Sequence, residues 1–411
     1  MLSSTSSSDR AQHFAADRPG FVRLTASDRP GVAQPVPERD IPLQPWPRMF
    51  ATAMALMLLG LCVWEWRMRA LGLEAGDLDD GASAWAEQRR RIDTENVQVA
   101  IVGDSRILFD TNLDRFEALT GTRPIQLALA GTNGRPFLED LADDPQFKGL
   151  VLVGIAEISY FRDAIGLNAE ALKRYAFESP SVRVSYLLHR GLSRVFAFLD
   201  SSYRLSRLVH HADDGWREGA VPSIPDRLWK LAVTGDDRQT TMWSRVESDP
   251  RVRDHQRAVW GVGKPGPPIT PVDDAVVTGT QEKTRAAVAK IRARGGEVVF
   301  LRPPSSPEFR SFEDVRVPRA RAWDALLAAA DVRGIHSDDE PAMQGLELPE
   351  YSHLSRACAT VFTDAYARAL ARLTPRIALR ADAPPALTPT DCVAVDARVT
   401  GEVGVAAPVS R

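Results

Sequence analysis

Cysteine is scarce in this chain. Cys62, Cys358 and Cys392 are the only three among 411 residues. Their spacing matches neither a zinc site nor a disulfide framework. Cys62 falls inside an apolar run and Cys358 is expected to face a core. A Cys358–Cys392 bridge stays open only for an oxidising compartment. A surplus of charge is also missing. The formal net charge is −3, and Arg is interleaved with Asp and Glu as on a solvated surface. That leaves no general electrostatic reason to expect nucleic acid. Internal repeats are lacking too, and so are long apolar runs, with one exception.

The exception is "WPRMFATAMALMLLGLCVWEWRMR". Met49 to Trp64 carries no charge, and Trp46, Trp64 and Trp66 border it. Aromatic residues at both ends suit two membrane interfaces, and Arg48 and Arg67 can reach the headgroups. The run is slightly short of the roughly 20 residues that span a bilayer. We read residues 46–67 as a single transmembrane helix. Residues 1–45 are rich in Ser, Pro, Asp and Arg without a sustained period and read as a disordered tail. Arg10, Arg18, Arg23, Arg29, Arg39 and Arg48 precede the helix. Only Arg67 and Arg69 follow it before the acidic "EAGDLDD". That asymmetry predicts a cytoplasmic tail and an extracytoplasmic domain.

A hydrophobic content of 44% over this length leaves room for one large domain with an insertion, or two domains. Residues 68–94 read as a linker with a short helix. Val99–Val102, Ile125–Leu129, Leu150–Ile155 and Glu297–Leu301 are apolar runs bounded by turn residues, as buried strands are. A weaker fifth lies at Val332–His336. Helical stretches separate them at Leu113–Leu119, Pro136–Leu141, Lys283–Arg294 and Ala320–Ala330. This alternation predicts an α/β domain over 95–375, with a parallel sheet covered on both faces. The pattern breaks over about 160–275. There Ser185–Leu199 and Tyr203–Leu208 look helical, and Trp216, Trp229, Trp243 and Trp260 are spread among them. We read a helical insertion that caps the sheet. A last helix is expected over Arg356–Leu373 with Ser355 as its cap. Residues 376–411 read as a flexible tail.

The stretch "VQVAIVGDSRILFDTNLDRF" places Ser105 where the first strand stops and a helix begins. A Ser at that corner is either a helix cap or a nucleophile. Ligands gather at the carboxyl ends of such strands, and a hydroxyl needs a base to become a nucleophile. The best-placed base is His353 in "LPEYSHLSRACATVF", with Glu350 three residues before it. That spacing lets the carboxylate hold one ring nitrogen while the other faces the Ser. His189, His210, His211 and His255 lack such company and read as packing or surface residues. Arg106 is expected to form an ion pair or a gate, with substrate contact as the alternative. Arg302, ending the fourth strand in "FLRPPSS", either binds an anionic group or forms an ion pair. The acidic Asp338-Asp339-Glu340 reads as a solvated turn. "GVGKPG" at 261–266 lacks both the Ser/Thr and the leading strand of a phosphate loop. No metal and no cofactor is expected.

Gly103-Asp104-Ser105 after the first strand, with Glu350-Tyr351-Ser352-His353-Leu354 before the last helix, resembles the SGNH (GDSL-type) hydrolases. It is most similar to membrane-anchored members linked to bacterial cell-surface polysaccharide acylation. The resemblance covers roughly residues 95–160 and 280–373. It implies a three-layer, flavodoxin-like fold and a catalytic set of Ser105, His353 and Glu350, the last replacing the family's Asp. It further implies an oxyanion hole made by the Ser105 N–H, the Gly131 N–H of "LALAGTNGRP" and an Asn after the third strand. "VGIAEISYF" has no Asn there, so Asn133 is expected to substitute from the neighbouring loop. The implied activity is hydrolysis or transfer of an acyl ester, acetyl above all, on an exported glycan. The alternative is a non-catalytic assembly or glycan-binding component. A multi-pass membrane acyltransferase is the implied partner, and the cytoplasmic membrane, facing the periplasm, the implied location.

Overall fold

The computed structural model describes residues 45–163, 166–205, 209, 230–261 and 269–392. Residues 1–44 of the expected 1–45 tail, residues 206–208 of the expected Tyr203–Leu208 helix, Trp216, Trp229, His210, His211 and nearly all of "GVGKPG" lie outside them. Five strands form one parallel sheet. They are β1 (Val99–Val102), β2 (Ile125–Gln126), β3 (Leu150–Gly154), β6 (Glu297–Arg302) and β7 (Arg333–His336), in the order β2-β1-β3-β6-β7. Two short strands, β4 (Ala232–Thr234) and β5 (Thr240–Met242), make a separate antiparallel hairpin in the insertion.

Period-2 alternation sends strand residues to opposite faces. Ala100, Val102, Val151, Val153, Val298 and Phe300 pack with Phe137, Leu141, Val288, Ile291 and Trp323 on one side. Ile101, Leu152, Val299 and Leu301 pack with Phe116, Phe362, Tyr366 and Leu370 on the other. Helices thus cover both faces, which is why these strands read as continuous apolar runs. β2 is shorter than expected. The chain beyond it keeps bonding to β1, since Leu127 N–H donates to Ile101 O and Leu129 N–H to Gly103 O. The Gln126 side chain meanwhile accepts from Ala128 N–H.

The last helix runs Arg356–Leu373, with Ser355 Oγ accepting from Cys358 N–H. The segment after it is not a free tail over 376–392. Arg380 N–H donates to Leu119 O, Leu387 N–H donates to Asp364, and Cys392 is disulfide-bonded to Cys358. The bridge needs only that residue 392 return to the last helix, a long-range contact that spacing alone does not reveal.

Among the described residues one helix, Trp46–Ala70, is long and apolar enough to cross a membrane, and its most apolar 18-residue window is unburied. The chain divides into compact units at Leu59–Gly60. The final turns of that helix belong to the second unit. Met68 is buried with Trp243, Met242, Val246, Val252, Leu73 and Ala197 in a small core of the insertion. That small core gathers around Trp243, whose indole N–H donates to Gly72 O.

Candidate functional site

The carboxyl end of β1 is shaped by close backbone approach. A Cβ on Gly154 would lie 2.4 Å from Ile107 Cβ, and one on Gly134 would lie 2.8 Å from Gly103 Cα. Glycine at both positions lets the short helix Ser105–Phe109 sit directly over the strand ends. Asp104, not Ser105, is its N-cap: Asp104 Oδ1 accepts from Arg106 N–H at 3.1 Å. The other Asp104 oxygen accepts from Ser159 Oγ at 2.5 Å. Ser105 is the first helical residue and half-buried, and its hydroxyl makes no hydrogen bond among the described residues. The cap alternative for Ser105 is thereby removed.

The loop Glu350–His353 lies against this helix. Arg106 Nε donates to Ser352 Oγ at 3.3 Å, and the Phe109 ring lies 4.4 Å from the His353 ring, centroid to centroid. Ser105 and Phe109 are four residues apart and share one helical face. Glu350 Oε1 accepts from both His353 Nδ1 and His353 N–H, each at 2.7 Å. Glu350 Oε2 accepts from the Trp260 indole N–H. His353 Nε2 is buried with no hydrogen-bond partner, and no hydrogen bond joins it to Ser105. Burial pulls the His353 pKa down, but the adjacent Glu350 carboxylate outweighs it and the net shift is upward. Tyr351, in the same loop, holds φ +80, a region costly for a residue with a Cβ. Its carbonyl accepts from Ser306 N–H, and its ring lies under the Arg257 guanidinium.

Asp110, unforeseen from sequence, faces the same histidine. It is fully buried; Oδ1 accepts from Leu354 N–H at 2.9 Å and Oδ2 has no partner. Burial pushes its carboxyl up to about 7, against a smaller opposing pull from His353. The only sequence signal was an Asp closing the Ser105 helix. Nothing in the spacing of Trp260 points to Glu350, which its indole N–H reaches.

The structure brings the Ser105 helix and the Glu350–His353 loop together but turns other candidates elsewhere. The Asn133 side chain is committed: Oδ1 caps its own helix by accepting from Arg135 N–H, and Nδ2 donates to Arg162 O at 2.7 Å. It is fully buried and leaves no side-chain donor for an oxyanion. Gly131 is exposed at φ +70, and the N–H groups of Gly131 and Ser105 donate to nothing among the described residues. Arg106 and Arg302 are not presented to solvent. Both are buried and pair with Glu313 at 2.6 Å, while Arg302 also pairs with Glu157 at 3.2 Å. The Arg106–Glu313 contact is ionic and close but lacks hydrogen-bond angles. Burial pushes the Glu313 carboxyl up, yet the two guanidiniums win and hold it at about 2. Two cations and two anions thus balance beneath the site, which is what makes their burial tolerable. Asp338 and Asp339 pair with Arg310 and Arg319 at the surface. His189 contacts Ser193 Oγ, away from these groups. Among the described residues no group of three or more His, Cys, Asp or Glu side chains gathers to hold a metal ion. Compared with models of known families and with curated proteins, the chain matches none.

Proposed function

We propose that the chain is a membrane-anchored serine hydrolase or O-acyltransferase of the SGNH (GDSL) type, acting on acyl esters through Ser105, His353 and Glu350. One observation carries the reading. His353 is fixed through Nδ1 by a buried carboxylate, its Nε2 is left without a partner, and the unbonded Ser105 hydroxyl lies about one helical turn from the residue stacked on its ring. In this reading His353 Nε2 takes the Ser105 proton as Oγ attacks the ester carbonyl. Glu350 stabilises the imidazolium and keeps the ring oriented. The free N–H groups of Ser105 and Gly131 are the donors for the tetrahedral oxyanion. His353 then gives the proton to the leaving alcohol, and water or a sugar hydroxyl releases the acyl group. A glycan substrate and a membrane acyltransferase partner rest on the family resemblance alone.

The extracytoplasmic location is supported by the Arg-rich segment before the helix and by the Cys358–Cys392 bridge, since disulfides persist in oxidising compartments. A scaffold reading is favoured by one observation, the committed Asn133 amide. A fluorophosphonate probe separates the two. Folded full-length protein should be labelled at Ser105, as mapped by peptide mass, and His353→Ala should abolish the labelling. No labelling, or labelling of another serine, contradicts the catalytic reading.

A further inference from the structure

The helix Pro180–Ser193, in the insertion, is built inside out. Its inward side carries Arg183, Tyr186, His189 and Arg190, all half-buried. Arg183 pairs with Glu87 and Glu178, and Arg190 pairs with Asp236. Its outward side carries Val184, Leu187, Leu188 and Leu192, of which Val184 is 55%, Leu188 62% and Leu192 50% exposed. The spacing i, i+3, i+4, i+8 is that of one apolar helical stripe, and the charged residues of this helix, Arg183 and Arg190, fall on the other side. Val195 and Phe196 extend the stripe beyond the helix end, also exposed. A helix of a water-soluble surface turns such a stripe to the core and its charges outward. Here the order is reversed, and a contiguous exposed apolar patch marks an interaction surface.

The covering medium is indicated by what the stripe is tied to. The segment 195–198 is clamped by the last turns of the helix Trp46–Ala70. Glu65 accepts from Ala197 N–H and Phe198 N–H, each at 3.0 Å, and Arg69 donates to Val195 O at 3.1 Å. Glu65 and Arg69 follow directly on the uncharged run that ends at Trp64. Chain continuity therefore puts residues 195–198 within a few residues of where that run leaves the hydrocarbon. We propose that the outward stripe of Pro180–Ser193, with Val195 and Phe196, is a second membrane contact lying in the lipid headgroup–acyl boundary. Helices of this kind bury their apolar face about 5–10 Å into that boundary. The 14-residue helix would cover about 21 Å of bilayer surface, and its paired arginines would stay on the protein side. The chain would then hold the bilayer at two places rather than one.

The inference rests on the membrane-anchor part of the reading above, not on the catalytic part. The test uses the full chain in nanodiscs of phosphatidylcholine, with and without brominated acyl chains. The fluorophore NBD is placed on native Cys62, or on Leu188→Cys or Glu282→Cys in a Cys62→Ala background. Glu282 is exposed on another helix and serves as the aqueous control. Brominated lipid should quench most of the emission at 62 and at 188 and leave 282 unchanged, with 188 blue-shifted relative to 282. Quenching at 62 but not at 188 overturns the second contact while the anchor stands. A blue-shifted but unquenched 188 also overturns it, since a second copy or a protein partner then covers the stripe. Absence of quenching at 62 removes the anchor and the inference with it.

Discussion

Asp110 shows how a single side chain escapes a reading of the sequence. A carboxylate five residues past Ser105 looks like an ordinary helix terminus. Only the packed structure puts it against His353 with one oxygen unpartnered. Burial moves its pKa from the ordinary 3.8 to about 7. The folded chain therefore holds a proton there that the unfolded chain has released, and this contribution to stability falls as pH rises through that window. His353, raised from 6.5, acts in the same sense: its contribution is complete below the unfolded value and is lost as pH rises through the folded one. Asp110→Asn keeps an oxygen for the Leu354 N–H and removes the titration. Its melting temperature relative to wild type should climb between about pH 4 and about pH 8. A difference that stays constant with pH would show that Asp110 does not titrate there. The Glu350–His353 contact, by contrast, was legible, because a carboxylate three residues before an imidazole can reach its ring nitrogen within one turn. Asn133 was misjudged because cap residues and oxyanion donors are the same residue type. Only the Arg135 N–H and the Arg162 carbonyl reveal which role it takes.

At the scale of elements, the insertion helix Pro250–Trp260 completes the candidate site. Arg257 Nε donates to Pro349 O at 2.7 Å, and the Trp260 indole donates to Glu350, so one helix grips both ends of the Pro349–Glu350 step. Trp260→Phe keeps the ring packing on Phe309 but removes the N–H. Losing one hydrogen bond to a charged group costs about 1.5 kcal/mol, which is about tenfold in kcat if the bond acts through His353 orientation. Turnover per folded enzyme should fall by about that factor with KM little changed, while the melting temperature drops by only a few degrees. Equal losses in folding and turnover would make Trp260 a packing residue only. The sheet strands were readable because both faces are covered, so each is an uninterrupted apolar run. β4 and β5 were not, because three residues apiece are too few for a period to show. The stretch Ala320–Ala330 was readable as helical, though it opens with a π turn at Ala320–Asp324 that composition does not signal.

At the scale of the whole molecule, the end of the apolar helix and the segment after the last helix both belong to the folded body. Removing everything up to residue 70 would take away Met68 and Glu65, which the insertion packs around and bonds to. The Cys358–Cys392 bridge closes a loop of sequence separation 34. By chain entropy it is worth about 4 kcal/mol. Cys392→Ser should lower the unfolding free energy by about that much in urea titrations. No change would show that the bridge does not form in the mature chain. The sequence patterns that carried furthest were those with a local cause, such as apolar runs, a charge-free helix and an E-x-x-H turn. Long-range returns of the chain, to Cys358 and to Glu350, had none.

The most direct test of the central claim compares hydrolysis of p-nitrophenyl acetate by wild type, Ser105→Ala, His353→Ala and the double variant. Members of one catalytic unit are non-additive. Each single change should lower kcat by roughly three orders of magnitude or more, with the melting temperature near that of wild type, and the double variant should be scarcely worse than either. Losses that multiply, or a Ser105→Ala protein that keeps most of a genuine wild-type activity, would contradict the Ser105–His353–Glu350 assignment.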